Sequence, residues 1–185
     1  MVHSAEDNPP IPFRALAFRP LSRSHFPLLQ RWLAAPHVAA WWNDPFDLPS
    51  LEAHYGPCID GNEPVHVHVI EVDRVPIGWF QWYRWRDFPA HANQLSADNS
   101  SAGIDLAIGE IDRTGQGLGP AIIQQFAADH IFPNPDMAAI VADPEVHNLR
   151  SVRAFRKAGF SIVNTVQLAG EAFERHVVRL ERVEK

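Results

Sequence analysis

The sequence contains almost no cysteine and no long apolar run. Cys58 is the only cysteine among 185 residues, which excludes an intrachain disulfide and any metal site built from several cysteines, and favours a reducing compartment. No stretch reaches the ~18 to 20 apolar residues of a membrane span. Residues 1–10 carry two acids and two prolines in place of the basic start and apolar run of a signal peptide. These absences predict a cytoplasmic protein with no membrane partner.

A surplus of positive charge is also lacking. Sixteen Lys and Arg residues stand against 22 Asp and Glu residues, which gives a formal net charge of −6. Because nucleic-acid binding needs a surplus of cations on one face, no nucleic acid is expected as a partner, and a cationic ligand suits the chain better. The composition, 46% hydrophobic and 21% charged, is that of a soluble globular protein. We expect a disordered or extended tail over residues 1–10 and a single domain, monomeric or homodimeric, over 11–185.

Hydrophobic periodicity predicts an α/β domain in which strands and helices are interspersed. Strands are predicted over residues 11–19, 65–72, 76–83, 103–109, 138–142, 160–166 and 173–180. Helices are predicted over 26–33, 36–42, 48–55, 120–132 and 148–158, with Gly56-Pro57 ending the third. Residues 84–102 are rich in Asp, Asn, Ser, Ala and Pro and are predicted to form a long loop.

Three alternating glycines, Gly115, Gly117 and Gly119, lie between a predicted strand and a predicted helix. Such a turn can hold phosphate, because glycine adopts positive φ and lets successive backbone N–H groups converge on an anion at a helix N-terminus. A dinucleotide fingerprint needs a glycine where Pro120 stands, and a nucleotide P-loop needs a Gly-Lys-Ser/Thr sequence that is absent. A purely structural turn is the alternative that this motif alone leaves open.

A second segment follows about thirty residues later, with Asn148 at the end of a loop and Phe155-Arg-Lys-Ala-Gly-Phe160 running from the next predicted helix into the strand after it. Together with Gly-Gln-Gly-Leu-Gly, it resembles the two coenzyme A-binding motifs of the GCN5-related N-acetyltransferases (GNAT). The resemblance implies a mixed, mostly antiparallel twisted sheet flanked by helices and splayed between its central strands. It also implies acetyl-CoA as the acyl donor, bound in that opening, and no metal.

The resemblance implies a set of coenzyme contacts. The turn amides would cradle the pyrophosphate, Asn148 would hydrogen-bond the pantetheine arm, and N–H groups near Ile108 would bind the reaction's oxyanion. The chain departs from the family at Thr114, where Gln or Arg is usual, and at Phe155, where a Tyr usually serves as general acid. The coenzyme-binding residues implied are Ile108, Thr114, Gly115, Gln116, Gly117, Leu118, Gly119, Asn148, Phe155 and Lys157.

Within that family, the chain looks like the bacterial aminoglycoside 6'-N-acetyltransferases. The matching residues are Trp32-Leu33, Pro36-His37-Val38, Trp41-Trp42, Pro76 to Tyr83, Gly103-Ile104-Asp105 and Asp143-Pro144. This resemblance implies acetyl transfer to the 6'-amine of an aminoglycoside by direct attack, with Asp105 as general base and Asp143 as a second acid that binds the acceptor. The substrate-binding residues implied are Trp41, Trp42, Tyr55, Gln81, Asp105 and Asp143.

The chemistry gives Asp105 and the aromatics an independent rationale. An amine attacks a thioester only when it is unprotonated, and an ordinary Asp with a pKa of ~3.9 is a poor base for an ammonium group. Either burial raises the pKa of Asp105, or its carboxylate binds the ammonium and passes the proton through water. Carboxylates pair with ammonium groups, and Trp faces bind cations, so an amine-rich acceptor fits these residue types.

The residue pattern leaves structural and functional alternatives open. Trp41 and Trp42 could be core packing, Asp105 a salt-bridged core acid and Asp143 the start of a turn. His66 and His68 lack a third metal ligand, and Cys58 lacks a His-Asp partner for nucleophilic catalysis. A siderophore-type hydroxylysine N-acyltransferase, which has a His at the place of Asp105, and a non-catalytic acyl-CoA sensor are the rival functions.

Overall fold

The computed structural model describes residues 15–42 and 44–183. Its strands are β1 (Leu16–Pro20), β2 (Val65–Val72), β3 (Val75–Arg84), β4 (Ser101–Ile108), β5 (Ala139–Ala142), β6 (Ser161–Gln167) and β7 (Glu174–Glu181). Its α-helices are α1 (Phe26–Leu33), α2 (Pro36–Ala39), α3 (Leu48–Ile59), α4 (Pro89–Leu95), α5 (Leu118–Phe126) and α6 (Leu149–Lys157). A π-helical turn, Ala127–Ile131, continues α5. The tail expected over residues 1–10 and the start of the first predicted strand lie outside the described residues.

The strands form one sheet in the order β1-β2-β3-β4-β5-β7-β6. Every neighbouring pair is antiparallel except β4 and β5, which run parallel. This pair is registered over only three positions, from Ser101 opposite Ala139 to Gly103 opposite Val141. Beyond Gly103 the two strands diverge. The predicted mixed, mostly antiparallel and splayed sheet is confirmed.

Alternate residues of β4 point their backbone N–H and C=O groups into the opening between β4 and β5, which we call the splay. The Gly109 N–H donates to the Ile77 carbonyl at 2.8 Å, on the side of β3. Hydrogen-bonding direction alternates along an antiparallel strand, so the backbone groups of Asp105 and Ala107 also point toward β3. Those of Leu106 and Ile108 therefore point into the opening, where β5 has already turned away.

The two faces of the sheet are covered differently. Helices α5 and α6 bury one continuous core on one face, including Phe80, Ile104 and Phe126. On the other face, α1 to α3 cover Trp79 in one cluster, and α4 packs near Val141 in a second one. Part of β3 and β4 lies between these two clusters and is not covered by a described helix. This uncovered part of the sheet forms one end of the candidate site.

Two predictions of local structure are wrong. The segment predicted as a loop over 84–102 contains α4 and the first residues of β4, because Trp85, Ala92 and Leu95 bury their side chains against the sheet. The third helix does not end at Gly56-Pro57 but runs to Ile59. Its packing against α1 and β2 outweighs the hydrogen bond that proline cannot donate. Among the described residues, no helix is long and apolar enough to cross a membrane.

Candidate active site

A cleft of about 560 Å³ opens where β4 and β5 diverge. Its walls come from β4, from the glycine turn before α5, from the first turns of α6 and from α2. Most of the residues predicted for the site line it, namely Trp41, Trp42, Asp105, Ile108, Thr114, Gly115, Gly117, Leu118, Gly119, Asp143, Asn148, Phe155 and Lys157. The predicted coenzyme and acceptor residues thus share one continuous space.

The glycine turn presents backbone N–H groups to this cleft. Gly115 and Gly117 have φ of +74° and +75°, and Gly117 is the N-cap of α5. No described residue accepts a hydrogen bond from the N–H of Gly115, Gln116 or Gly117, and the first turn of α5 leaves further N–H groups without an intrahelical partner. Gly119 lets the two helices approach, because a Cβ there would lie 3.3 Å from that of Ala154 on α6. The turn has the geometry of an anion cradle.

The side chains of Thr114 and Gln116 turn away from this cradle. The Thr114 hydroxyl donates to the Ile111 carbonyl at 2.8 Å, and the Gln116 amide donates to the Asp112 carbonyl at 2.5 Å. Gln116 does not line the cleft, so only its backbone is placed to contact a ligand.

Helix α6 supplies a polar and positively charged wall. Asn148 caps it, because its Oδ1 accepts a hydrogen bond from the Ser151 N–H at 3.1 Å, which leaves the amide NH2 group for a ligand. Arg150, Arg153 and Lys157 lie at helical spacing and all line the cleft. Sequence reasoning missed both arginines, although their spacing from Lys157 was available as a signal.

Phe155 lies deeper on the same helix. Its side chain is 4% exposed and packs against Phe160, with ring centroids 5.0 Å apart. A phenyl ring has no proton to donate, so this position cannot act as an acid.

The free backbone edge of β4 is held in place by His37. Its Nε2 donates to the Ile108 carbonyl at 3.0 Å, in a tautomer with hydrogen on that nitrogen. The N–H of Ile108 continues to point into the splay. His37 was not predicted as a site residue, although it lies four residues before Trp41, at helical spacing within the helix predicted over 36–42.

Asp105 lies on the face of β4 that points away from α5 and α6. It stands between the cluster that contains Trp79 and the cluster that contains Val141. Gln81, directly across on β3, donates to its Oδ2 at 3.3 Å. Tyr83 lies two residues further along β3 and passes over Gly103, where a Cβ would come within 2.2 Å of the tyrosine ring. Glycine at 103 therefore allows Tyr83 to lie beside Asp105, a contact that the sequence-based site did not include.

Burial and a second carboxylate act on Asp105. The pKa of Asp105 is raised to about 6, chiefly by loss of hydration and next by the negative charge of Asp143, whereas Gln81 and Tyr83 oppose the rise. Burial likewise raises the pKa of the Tyr83 phenol, with the charges of Asp105 and Asp143 adding to it. Asp105 is thus mostly ionised at neutral pH, yet it is a much better base than an exposed Asp.

Asp143 is 8% exposed and lies beside the side chains of His91 and Arg175. His91 Nε2 lies 3.3 Å from its Oδ2, and Arg175 Nη1 donates to its backbone carbonyl at 3.0 Å. The hydrogen bond to Asp143 raises the pKa of His91. His91 comes from α4, the helix that the sequence did not predict, and Arg175 comes from β7, where no motif marked it.

Two tryptophans form an aromatic wall of the cleft that Asp105 also lines. Trp41 is 45% exposed and lines the cleft, as does Trp42, whose Nε1 donates to Asp44 Oδ2 at 2.7 Å. Trp42 also packs edge-on against the buried Trp79 at 4.9 Å. Tyr55 is 1% exposed and belongs to the cluster beneath this wall, so the structure does not bring it into the cleft.

Comparison with known proteins defines the class. A family model described as an acetyltransferase (GNAT) domain matches residues 22–168. The chain belongs to the GNAT acetyltransferase family and is an acetyl-CoA-dependent N-acetyltransferase, which confirms the enzyme class predicted from the sequence. Among the described residues, no group of three or more His, Cys, Asp or Glu side chains could hold a metal ion.

Individual relatives and one solved structure indicate which members of the family the chain resembles. The aminoglycoside N(6')-acetyltransferase type 1 of Klebsiella pneumoniae is 26% identical over 155 residues, covering 82% of this chain and 77% of the relative. The lysine N-acyltransferase MbtK of Mycolicibacterium paratuberculosis (strain ATCC BAA-968 / K-10) is 22% identical, covering 82% and 68%. The structure of aminoglycoside acetyltransferase AAC(6')-Ib in complex with coenzyme A and kanamycin matches with a TM-score of 0.81 at 25% identity, over 91% of this chain and 95% of that chain.

Proposed function

We propose that the protein transfers the acetyl group of acetyl-CoA to the 6'-amine of an aminoglycoside, by direct attack and without an acetyl-enzyme. The observation that carries this proposal is the position of Asp105. Its side chain lines the same cleft as Trp41 and Trp42, on the side of the sheet opposite the core under α5 and α6. The similarity to the aminoglycoside acetyltransferases supports the choice of acceptor.

The coenzyme would lie along the splay with its pyrophosphate on the glycine turn. The N–H groups of residues 115 to 119 would bind the phosphate oxygens, and the Asn148 amide would reach the pantetheine arm. The open edge of β4 would pair with that arm as an added strand pairs with a sheet edge. Arg150, Arg153 and Lys157 would complement the coenzyme's negative charge from α6.

The acceptor amine would then meet the thioester at the end of β4. Asp105 would bind its ammonium group and accept the proton, directly or through water, as the amine nitrogen attacks the carbonyl carbon. The N–H of Ile108 would stabilise the oxyanion that forms. With Phe155 in place of an acid, the coenzyme would leave as a thiolate, which is stable enough near neutral pH to depart unassisted.

Lysine N-acyltransferase activity is the second candidate, supported by the similarity to MbtK. Asp105 favours the aminoglycoside acceptor, because the siderophore-type enzymes are expected to have His at this place. The cytoplasmic location and the monomeric or homodimeric state expected from the sequence belong to this proposal as well.

Turnover across an acceptor panel tests the proposal. Purified protein with acetyl-CoA and kanamycin, lysine, hydroxylysine or no acceptor is followed by thiol release and product mass. We expect a singly acetylated kanamycin and thiol release well above the rate without acceptor. Preferential acetylation of lysine or hydroxylysine contradicts the aminoglycoside assignment, and coenzyme binding without any product supports the acyl-CoA sensor.

A further inference from the structure

The backbone places Arg175 directly beside the segment that follows β5. The Val146 N–H donates to the Glu174 carbonyl at 3.0 Å, and the His176 N–H donates to the Pro144 carbonyl at 2.9 Å. Glu145 and Arg175 are opposite one another in this short antiparallel bridge. The position of Arg175 at the acceptor end of the cleft is therefore fixed by its backbone rather than by the side chain alone.

The Arg175 guanidinium contacts three carboxylates. Its Nη1 lies 3.7 Å from Asp143 Oδ2, its Nη2 lies 3.7 Å from Glu145 Oε1, and its Nε is hydrogen-bonded to Glu171 Oε2. The Arg175 side chain is 24% exposed and lines the cleft together with Asp143 and Glu145, whereas Glu171 does not. A single guanidinium is therefore shared by two carboxylates that line the cleft and one that does not.

This arrangement changes the charge that an acceptor meets. Three carboxylates of described residues line the cleft, those of Asp105, Asp143 and Glu145. Asp143 and Glu145 share Arg175, and His91 adds a second partner to Asp143. Within the described part of the chain, Asp105 is the one carboxylate of the three without an ion pair. An acceptor with several ammonium groups therefore meets one carboxylate without an ion pair and two carboxylates that share a single guanidinium.

We propose that Arg175 is a specificity-determining residue that weakens the binding of acceptors with several ammonium groups relative to acceptors with one. The proposal rests on the proposed function only in placing an amine acceptor at this end of the cleft. An acceptor with one ammonium group is satisfied by Asp105. Each additional ammonium group must compete with the guanidinium for Asp143 or Glu145, and it is repelled by the same positive charge.

Calorimetric binding to the coenzyme A-loaded protein tests this role. The ligands are kanamycin, which carries several amines, and 6-amino-6-deoxyglucose, which carries one. In Arg175→Gln we expect kanamycin to bind about fivefold more tightly, with a steeper salt dependence, because partly exposed ion pairs are weak individually and two carboxylates are released. The dissociation constant of the monoamine should change less than about twofold in the same variant.

Arg179→Gln is the matched control. Arg179 lies four residues along β7, is 23% exposed and pairs with Asp98 and Glu181 outside the cleft. Both dissociation constants should stay unchanged in this variant. Arg175→Lys keeps the positive charge and should retain the wild-type ratio of the two constants, which separates a charge effect from a loss of packing.

Glu171→Gln should have the opposite effect on kanamycin binding, and it tests the proposal if Arg175→Gln does not fold. It removes a partner of Arg175 without removing an acid that lines the cleft, so kanamycin should bind more weakly than in the wild type. Equal changes for both ligands, weaker kanamycin binding in Arg175→Gln, or no measurable kanamycin binding in either form would overturn the proposal. Turnover by the wild type is scored separately, so the role of Arg175 is judged on dissociation constants even if kanamycin is not acetylated.

Discussion

At the scale of single residues, Asp105 carries most of the proposed chemistry. Its raised pKa makes it a stronger base than an exposed Asp, while most of the population remains ionised at neutral pH. The sequence singled out Asp105 because an acid interrupts an apolar strand. It left open whether burial raises the pKa of Asp105 toward that of the ammonium group, or whether the proton passes through water. The structure favours burial, with Gln81 and Tyr83 as hydrogen-bonding neighbours on β3.

Asp105→Asn should lower kcat/KM for the acceptor by about 100-fold, the size of a typical general-base contribution. In the wild type, kcat/KM should fall as pH drops through about 6, because protonation of Asp105 removes the base. The variant should lose this acidic limb while its affinity for coenzyme A stays unchanged. A pH profile of kcat/KM for both proteins is the measurement, and an identical limb near pH 6 in the variant contradicts the assignment.

The same substitution should stabilise the fold. Because the folded state raises the pKa of Asp105, it binds more protons than the unfolded state between about pH 4 and 6, so the carboxyl's contribution to stability worsens as pH rises through this window. Each pKa unit is worth about 1.4 kcal/mol, and Asp105 is only partly buried, so Asp105→Asn should gain about 1 to 2 kcal/mol at pH 7. Urea unfolding at pH 7 and pH 4 measures it, and a gain that persists at pH 4 points to another cause.

At the scale of elements, the glycine turn and α4 illustrate what sequence can and cannot predict. The turn was predictable because three glycines at alternate positions have few uses, and Gly115 and Gly117 do adopt positive φ. Helix α4 was not predictable, because only Ala92 and Leu95 of its seven residues are buried, and its composition is typical of a loop. Its burial depends on Trp85 and on strands distant in sequence.

Gly117→Val should raise the KM for acetyl-CoA by about tenfold or more, because the side chain would occupy the space where the pyrophosphate is proposed to bind. Strain at positive φ accompanies this change, so a control with equal strain is needed. Gly170 has a φ of +85°, no atom within 4 Å of a built Cβ and no part in the cleft. Gly170→Val should lose similar stability and keep the wild-type KM. An equal rise in both variants would count against the cradle.

His68 on β2 packs beside Phe126 and His130. Its burial predicts that the stability of the fold depends on pH in the acidic range. The pKa of His68 is lowered to about 4, chiefly by burial and next by the charges of the neighbouring His130 and His66. Between pH 6.5 and 4 the unfolded state binds the proton that the folded state excludes, so stability falls as pH falls through this window.

His68→Phe should reduce that loss, because a phenyl ring fits among Phe126 and the other rings and does not titrate. Thermal unfolding at pH 7 and pH 5 is the measurement, with the exposed His147→Phe as control. An unchanged pH dependence in His68→Phe would show that other groups cause the acid sensitivity.

At the scale of the whole molecule, the coenzyme side was more predictable than the acceptor side. The coenzyme motifs are contiguous in sequence, whereas the acceptor end combines α2, β3, β4, α4 and β7. Tyr83, His91 and Arg175 reach Asp105 and Asp143 only because the sheet order brings β7 beside β5 and because α4 covers this face. No local pattern of residues encodes that assembly, so the acceptor's charge environment emerges only from the folded chain.

The acceptor assignment is tested most directly by locating the acetyl group on the product. Kanamycin is incubated with the protein and acetyl-CoA, and the purified product is examined by two-dimensional NMR, with a 6'-hydroxyl analogue of kanamycin in a parallel reaction. We expect one acetyl group on the 6'-nitrogen and no turnover of the analogue. Acetylation at another amine, or equal turnover of the analogue, would contradict it.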